Sequence, residues 1–140
     1  MFDLTKFTTT RKIEFQQLAQ DRKDDFEALR KQERWTASVY LGPYIVEARL
    51  KFKICETLKL ERLPMVFKIH DLSALVIYAG IRNELEAVPH VYDNFRKIAK
   101  LHKEVEWRYK IADVLHQAES DTLNDRLFNS KHGVMTWLGL

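Results

Sequence analysis

Between Trp35 and Leu60 the apolar residues Leu41, Ile45, Ala48, Phe52, Cys55 and Leu58 recur every three or four positions. That interval puts them on one face of an α-helix and scatters them over both faces of a strand, so the segment is read as a long core helix. A helix with such a stripe must bury it, and the usual partners are other helices in a bundle. Gly42-Pro43 interrupts the first part of the pattern. Proline offers no amide donor and crowds the preceding turn, so the helix either starts near Pro43 or kinks there.

The neighbouring segments repeat the theme. After Thr8-Thr9-Thr10, which are read as caps, Phe15, Leu18, Ala19, Phe26 and Leu29 mark an amphipathic first helix. Leu60 to Lys68 holds Pro64 and no clean period, and is read as a connecting loop. Asp71 is placed to cap a short helix carrying Leu72, Leu75, Val76 and Ala79, and Gly80 to end it in the left-handed conformation. Pro89 suits the first turn of the next helix, whose inward stripe is Val91, Phe95, Ile98, His102, Val105 and Tyr109. The last segment, Asp113 to about Leu138, carries Leu115, Ala118, Leu123, Leu127, Val134 and Leu138, with a break near Asn129 or Gly133.

Only four glycines and three prolines occur in 140 residues, too few for the turns of an all-β fold. The expectation is one all-α domain over residues 1–140, a mostly antiparallel up-and-down bundle of about five helices. Cys55 is the only cysteine. With no disulfide to form, and with neither a signal-peptide h-region in Met1 to Thr10 nor an apolar run long enough for a membrane span, the chain is expected to be soluble and cytoplasmic.

A net charge of +3 decides little about partners. Locally, Arg49 to Lys68 carries six bases against Glu56 and Glu61, and Arg96 to Lys110 carries six against Glu104 and Glu106. Two basic segments could share one face, although blocks of mixed charge are commonly just solvated helix surface.

Certain residues carry a family resemblance. Tyr44-Ile45-Val46-Glu47-Ala48-Arg49-Leu50-Lys51-Phe52, with its Glu and then Leu-Lys three residues on, is similar to the long helix of the HEPN (higher eukaryote and prokaryote nucleotide-binding) domains. His70-Asp71-Leu72-Ser73-Ala74-Leu75 is similar to the His-Asp-Leu-x-x-Leu that starts the next helix in many members. Trp107-Arg108-Tyr109, followed by Trp137-Leu138, resembles some stand-alone bacterial members. The resemblance covers residues 35 to 139. It implies a helical bundle that often forms a homodimer and binds a nucleotide, RNA or protein. Members are accessory partners of nucleotidyltransferases, components of toxin-antitoxin or defence systems, or metal-independent ribonucleases.

The ribonuclease branch uses an Arg followed four to six residues later by His, usually with Asn, Asp or His directly after the Arg. Arg96 with His102 and Arg126 with His132 have the spacing, but Lys97 and Leu127 stand at the polar position. Ten arginines and five histidines produce about one such pair by chance. His102 also lies on an apolar stripe, where a hydrogen-bonded core histidine is expected. Arg126 and His132 flank the expected helix break, where a turn could join them for acid-base work on a 2′-hydroxyl.

Candidate ligand contacts are Glu47, Arg49, Lys51, His70, Asp71, Arg108 and Tyr109, with Arg49, Lys51 and Arg108 as the phosphate contacts. The alternative for His70 and Asp71 is purely structural, an N-cap with a packing neighbour. No cofactor is implied, no metal-binding spacing is present, and Gly42, Gly80, Gly133 and Gly139 are too isolated for a phosphate-cradling loop. Cys55, on the apolar stripe, is read as core rather than nucleophile. The first expectation is therefore a non-catalytic binding module for a nucleotide, RNA or protein partner. A ribonuclease with an Arg/His site formed in a dimer is the enzymatic alternative. A protein-interaction subunit anchored by Trp35, Tyr40, Trp107 and Trp137 is the structural one.

Overall fold

The computed structural model describes residues 6–104 and 115–139. Its centre is a 24-residue helix, and the other elements are placed by how they cover it. In chain order they are strand β1 (Phe7–Arg11), helix α1 (Lys12–Lys31), helix α2 (Trp35–Leu58), strand β2 (Arg62–Pro64), a 3-10 turn (Met65–Phe67), and helices α3 (Leu72–Tyr78), α4 (Arg82–Glu86), α5 (Pro89–Lys103), α6 (Gln117–Phe128) and α7 (Val134–Leu138). Helices dominate, with one small two-stranded sheet beside them. The described residues thus form seven helices rather than about five.

Helix α2 does not start at Pro43: it runs through Gly42-Pro43 from Trp35 to Leu58. Contacts with α1, α3, α5, α6 and α7 surround it. Burial therefore extends well beyond the stripe read from the sequence and takes in Val39, Val46, Leu50 and Ile54, while Leu58 at the last turn is exposed. A helix covered from several sides can be apolar on several faces, and one stripe then under-describes it. Gly42 lets a neighbour come close. A Cβ there would lie 2.6 Å from Leu123 Cδ2 and 3.1 Å from Phe26 Cε1, so α6 and α1 press on α2 at this position.

Thr8, Thr9 and Thr10 do not cap α1. They lie in β1, which pairs antiparallel with β2 with Phe7 opposite Pro64 and Arg11 opposite Arg62. The N-cap position is Arg11, with no side-chain cap bond. Consecutive β-branched residues favour the strand, and they found a partner in a segment that was expected to be loop. Pro64 fits β2 because a two-stranded sheet has only edges.

The remaining boundaries follow local chemistry. Asp71 caps α3, accepting from the backbone amides of Ser73 at 3.0 Å and Ala74 at 3.3 Å. Gly80, at φ +76°, ends that segment. Helix α4 stands where no element was expected; Leu85 buries, and an Arg82–Glu86 ion pair of 2.8 Å spans it. Helix α5 starts on Pro89 and buries Val91, Phe95, Ile98 and His102, whereas Val105 and Tyr109 lie outside the described residues. The break before α7 falls where expected. Asn129 Oδ1 accepts from the amides of Lys131 (2.9 Å) and His132 (3.0 Å), and Gly133 is the N-cap of α7.

Candidate functional site

A buried carboxylate in the middle of α2 is costly unless partners compensate it. Glu47 is only 7% exposed, and three side chains converge on it. His102, 3% exposed in the last turn of α5, places Nε2 3.0 Å from Glu47 Oε1. His70, from the segment between the 3-10 turn and α3, places Nδ1 2.8 Å from the same oxygen. Lys51, one turn along α2 and itself buried, donates from Nζ to Oε2 at 3.3 Å. An ionised carboxylate only accepts, so the two short contacts require protons on His70 Nδ1 and His102 Nε2.

Aromatic rings wall this cluster. Tyr44 stands edge-on to His102, with centroids 4.6 Å apart at 87°, and its ring is 6.2 Å from that of His70. Tyr40 lies beside Tyr44, with ring centroids 5.5 Å apart. The His70 side chain is 70% exposed while Glu47 and His102 are nearly covered, so the cluster opens to solvent on the His70 side. Burial by itself pushes the Glu47 carboxyl up. The His102 hydrogen bond, the Lys51 charge and the His70 hydrogen bond outweigh it and hold the group below the usual glutamate range.

The other ligand candidates are distributed around this cluster or away from it. Asp71 is occupied as the α3 cap and lies 3.9 Å from Lys103 Nζ. Arg49 turns away: its guanidinium donates to the Leu138 carbonyl at 3.2 and 3.3 Å and stacks 4.7 Å over the Phe52 ring, securing the end of α7. Arg108 and Tyr109 lie outside the described residues, as does Trp107. Cys55 is fully buried and its thiol is pushed up by burial, as a core position requires.

Arg96 and His102 diverge. The Arg96 guanidinium lies 5.6 Å over the Tyr92 ring and reaches Asp93 at 4.0 Å, whereas His102 turns inward to Glu47. Arg126 lines a cleft with Val39, Leu101, Leu115 and Thr122. His132 lines another, with Asp125 and Asn129, and its ring lies 4.5 Å from that of His90. Trp35 and Trp137 are half-buried, and Tyr40 is exposed.

Sequence reasoning singled out Glu47, Lys51, His70 and His102 separately. It missed their convergence and the part of Tyr44. The histidines stand 23 and 55 positions from Glu47, too far for any helical or motif spacing to connect them. The one available signal was an acid and a base one turn apart in the most apolar stretch of the chain's central helix.

Comparison with known proteins found no family model, no curated protein and no solved structure that this chain matches. Fold and site together define a mostly helical protein with a carboxylate, two imidazoles and an ammonium gathered at its central helix. Among the described residues no helix is long and apolar enough to cross a membrane.

Proposed function

We propose that this protein is a non-catalytic binding module for phosphate-bearing ligands, a nucleotide or RNA, built on an antiparallel HEPN-like bundle that works as a homodimer. The observation that carries the reading is the exposed face of α5. Arg96, Lys100 and Lys103 are all exposed at positions i, i+4 and i+7, and so form one stripe along the helix. The ion pairs of this helix join Arg96 and Lys97 to Asp93 and Lys103 to Asp71, and Lys100 is in none of them. The stripe borders a cleft between α3, α4 and α5 that Arg82, Ser73 and Tyr92 also line, and Lys103 brings it to Asp71 beside His70. Lysine and arginine heads along one helix face suit phosphate oxygens, and an adjacent tyrosine offers a ring for a base. The HEPN resemblance implies the same ligand class, and a lone cysteine fits a cytoplasmic setting.

Fluorescence anisotropy of a labelled single-stranded RNA, with ATP as competitor, tests the reading. Affinity should fall as salt rises, because each neutralised phosphate releases counterions. The Lys100→Glu/Lys103→Glu double variant should bind at least about tenfold more weakly, the expected cost of reversing two contacts. Absence of binding, or binding indifferent to that reversal, would reject it. Cleavage of the RNA in EDTA, lost in folded His102→Ala or His132→Ala, would replace it with the ribonuclease reading. In one chain Arg96 and His102 face apart, so such a site would need residues from a second copy.

A further inference from the structure

Glu47, His70 and His102 each offer a ligating atom, and the three atoms all lie within 4.8 Å of one another. Two features set this group apart from ordinary hydrogen bonding around a buried acid. Both imidazoles converge on a single carboxylate oxygen, at 2.8 and 3.0 Å, while Lys51 holds the other oxygen. And the three donors come from three separate segments, facing one point that is open on the His70 side.

We propose that Glu47, His70 and His102 form a binding site for a divalent transition-metal ion, with Zn2+ the ion that the donor set fits. Around four-coordinate zinc, with bonds of about 2.0–2.1 Å, neighbouring donors sit roughly 3.3 Å apart. The observed carboxylate-to-imidazole distances are shorter by only a few tenths of an ångström, as expected where hydrogen bonds take the place of metal bonds. His70 is exposed and precedes α3, so it can yield that distance without disturbing the core. Two imidazoles with one carboxylate suit zinc, whereas magnesium and calcium prefer oxygen ligands throughout.

Lys51 and Tyr44 fill the supporting roles that metal sites require. Lys51 keeps Oε2 engaged, so Oε1 is the single ligating atom of Glu47, and the edge of the Tyr44 ring fixes the plane of His102. On binding, the ring nitrogen that now donates in each histidine releases its proton to water and presents its lone pair to the ion. The fourth position faces solvent beside His70 and is filled by water or by an anionic oxygen, which also offsets the Lys51 charge. Metal binding at Glu47 does not depend on phosphate binding along α5, and its test uses neither RNA nor nucleotide.

The test is calorimetric titration of EDTA-stripped, dialysed full-length protein with ZnCl2, with Co2+ absorption spectra recorded alongside. One ion per chain should bind, and Co2+ should give visible bands of low-coordinate intensity. His70→Ala alters an exposed side chain, and its fold is checked by circular dichroism. Loss of a supporting residue alone typically costs 10–100-fold in metal affinity, so loss of this ligand should cost about 100-fold or more. His70→Cys, which replaces the imidazole by a thiolate, should recover binding. His90→Ala/His132→Ala removes the exposed imidazole pair elsewhere on the surface and should change nothing. Absence of stoichiometric binding to the unaltered protein overturns the proposal. So does affinity that survives His70→Ala, or that disappears with the His90/His132 pair.

Discussion

Ser38 of α2 and Ser120 of α6 face each other in the core with their hydroxyl oxygens 2.7 Å apart, and both residues are fully buried. Ser38 donates its own proton to the Trp35 carbonyl at 2.7 Å, so in the Ser38–Ser120 contact Ser120 is the donor. Ser120 in turn accepts from Arg30 Nη1 at 2.8 Å, and Arg30 Nη2 reaches Asp121 at 3.0 Å. The result is a directed chain from the α1 guanidinium through two hydroxyls to the first turn of α2.

Ser120→Ala removes an acceptor from Arg30 and a donor from Ser38 together. It should destabilise the protein by about 1–3 kcal/mol, the cost of leaving buried polar groups unpaired. The Ser38→Ala/Ser120→Ala double variant should lose less than the sum of the two single losses, because the hydroxyls act as a unit. Urea denaturation midpoints of the four proteins decide this, and strict additivity would show the two hydroxyls to be independent.

Glu47→Leu leaves Lys51 buried without its counter-charge, and breaking a buried pair from one side costs about 3–5 kcal/mol. Glu47→Leu/Lys51→Met should recover much of that loss, since no charge then remains to be compensated. Denaturation is followed in EDTA so that no bound ion contributes. A double variant no more stable than Glu47→Leu would mean that Lys51 has another partner.

Two glycines should respond unequally to alanine. At Gly133 the new Cβ would meet backbone, 2.6 Å from the Asn129 nitrogen and 2.7 Å from the Asn129 and Leu127 oxygens. At Gly42 the nearest atom is the end of the Leu123 side chain, which can turn. Overpacking costs roughly 1–3 kcal/mol, and Gly133→Ala should lie at or above the top of that range with Gly42→Ala below it. Thermal denaturation of both variants gives the order, and the reverse order would contradict the packing described.

Glu119 should report acid fraying of α6. Its carboxylate accepts hydrogen bonds from its own amide and from that of His116, the latter at 2.9 Å, and these hold it below the usual glutamate range. A group whose pKa is lowered in the folded state adds stability above its unfolded pKa and loses that contribution as pH falls through the folded value. The His116 amide resonance should therefore titrate with a midpoint below that of an ordinary glutamate and stop titrating in Glu119→Gln. A midpoint at or above the ordinary value would show that the cap does not form.

What could be read from the sequence follows the range of each interaction. The Asp71 cap, the Gly80 stop, the Pro89 start and the break at Asn129 to Gly133 are set by one or two turns of chain, and each stands where it was expected. Burial of Cys55 and His102 followed from their helical stripes. The pairing of β1 with β2 was not legible, because its two halves are more than fifty residues apart and β2 is three residues long with a proline in it. Helix α4 escaped because five residues are too few to show a period. The Glu47 cluster is the same problem at the site: each member was visible, but only the tertiary fold carries His70 and His102 to one carboxylate oxygen.

The strand pair closes a loop. Helices α1 and α2 are joined by three residues, Gln32 to Arg34, and β1 and β2 flank their far ends, so the ladder ties the open end of the helical hairpin. Its closing contacts all fall within the first half of the chain. Elements linked by short loops form early because little chain entropy is lost in bringing them together. Residues 7 to 64 can thus assemble as a clasped unit before α5, α6 and α7 arrive. Glu47 lies within this clasped unit while His70 and His102 lie beyond it in the chain, so the carboxylate and its two imidazoles belong to different parts of the fold.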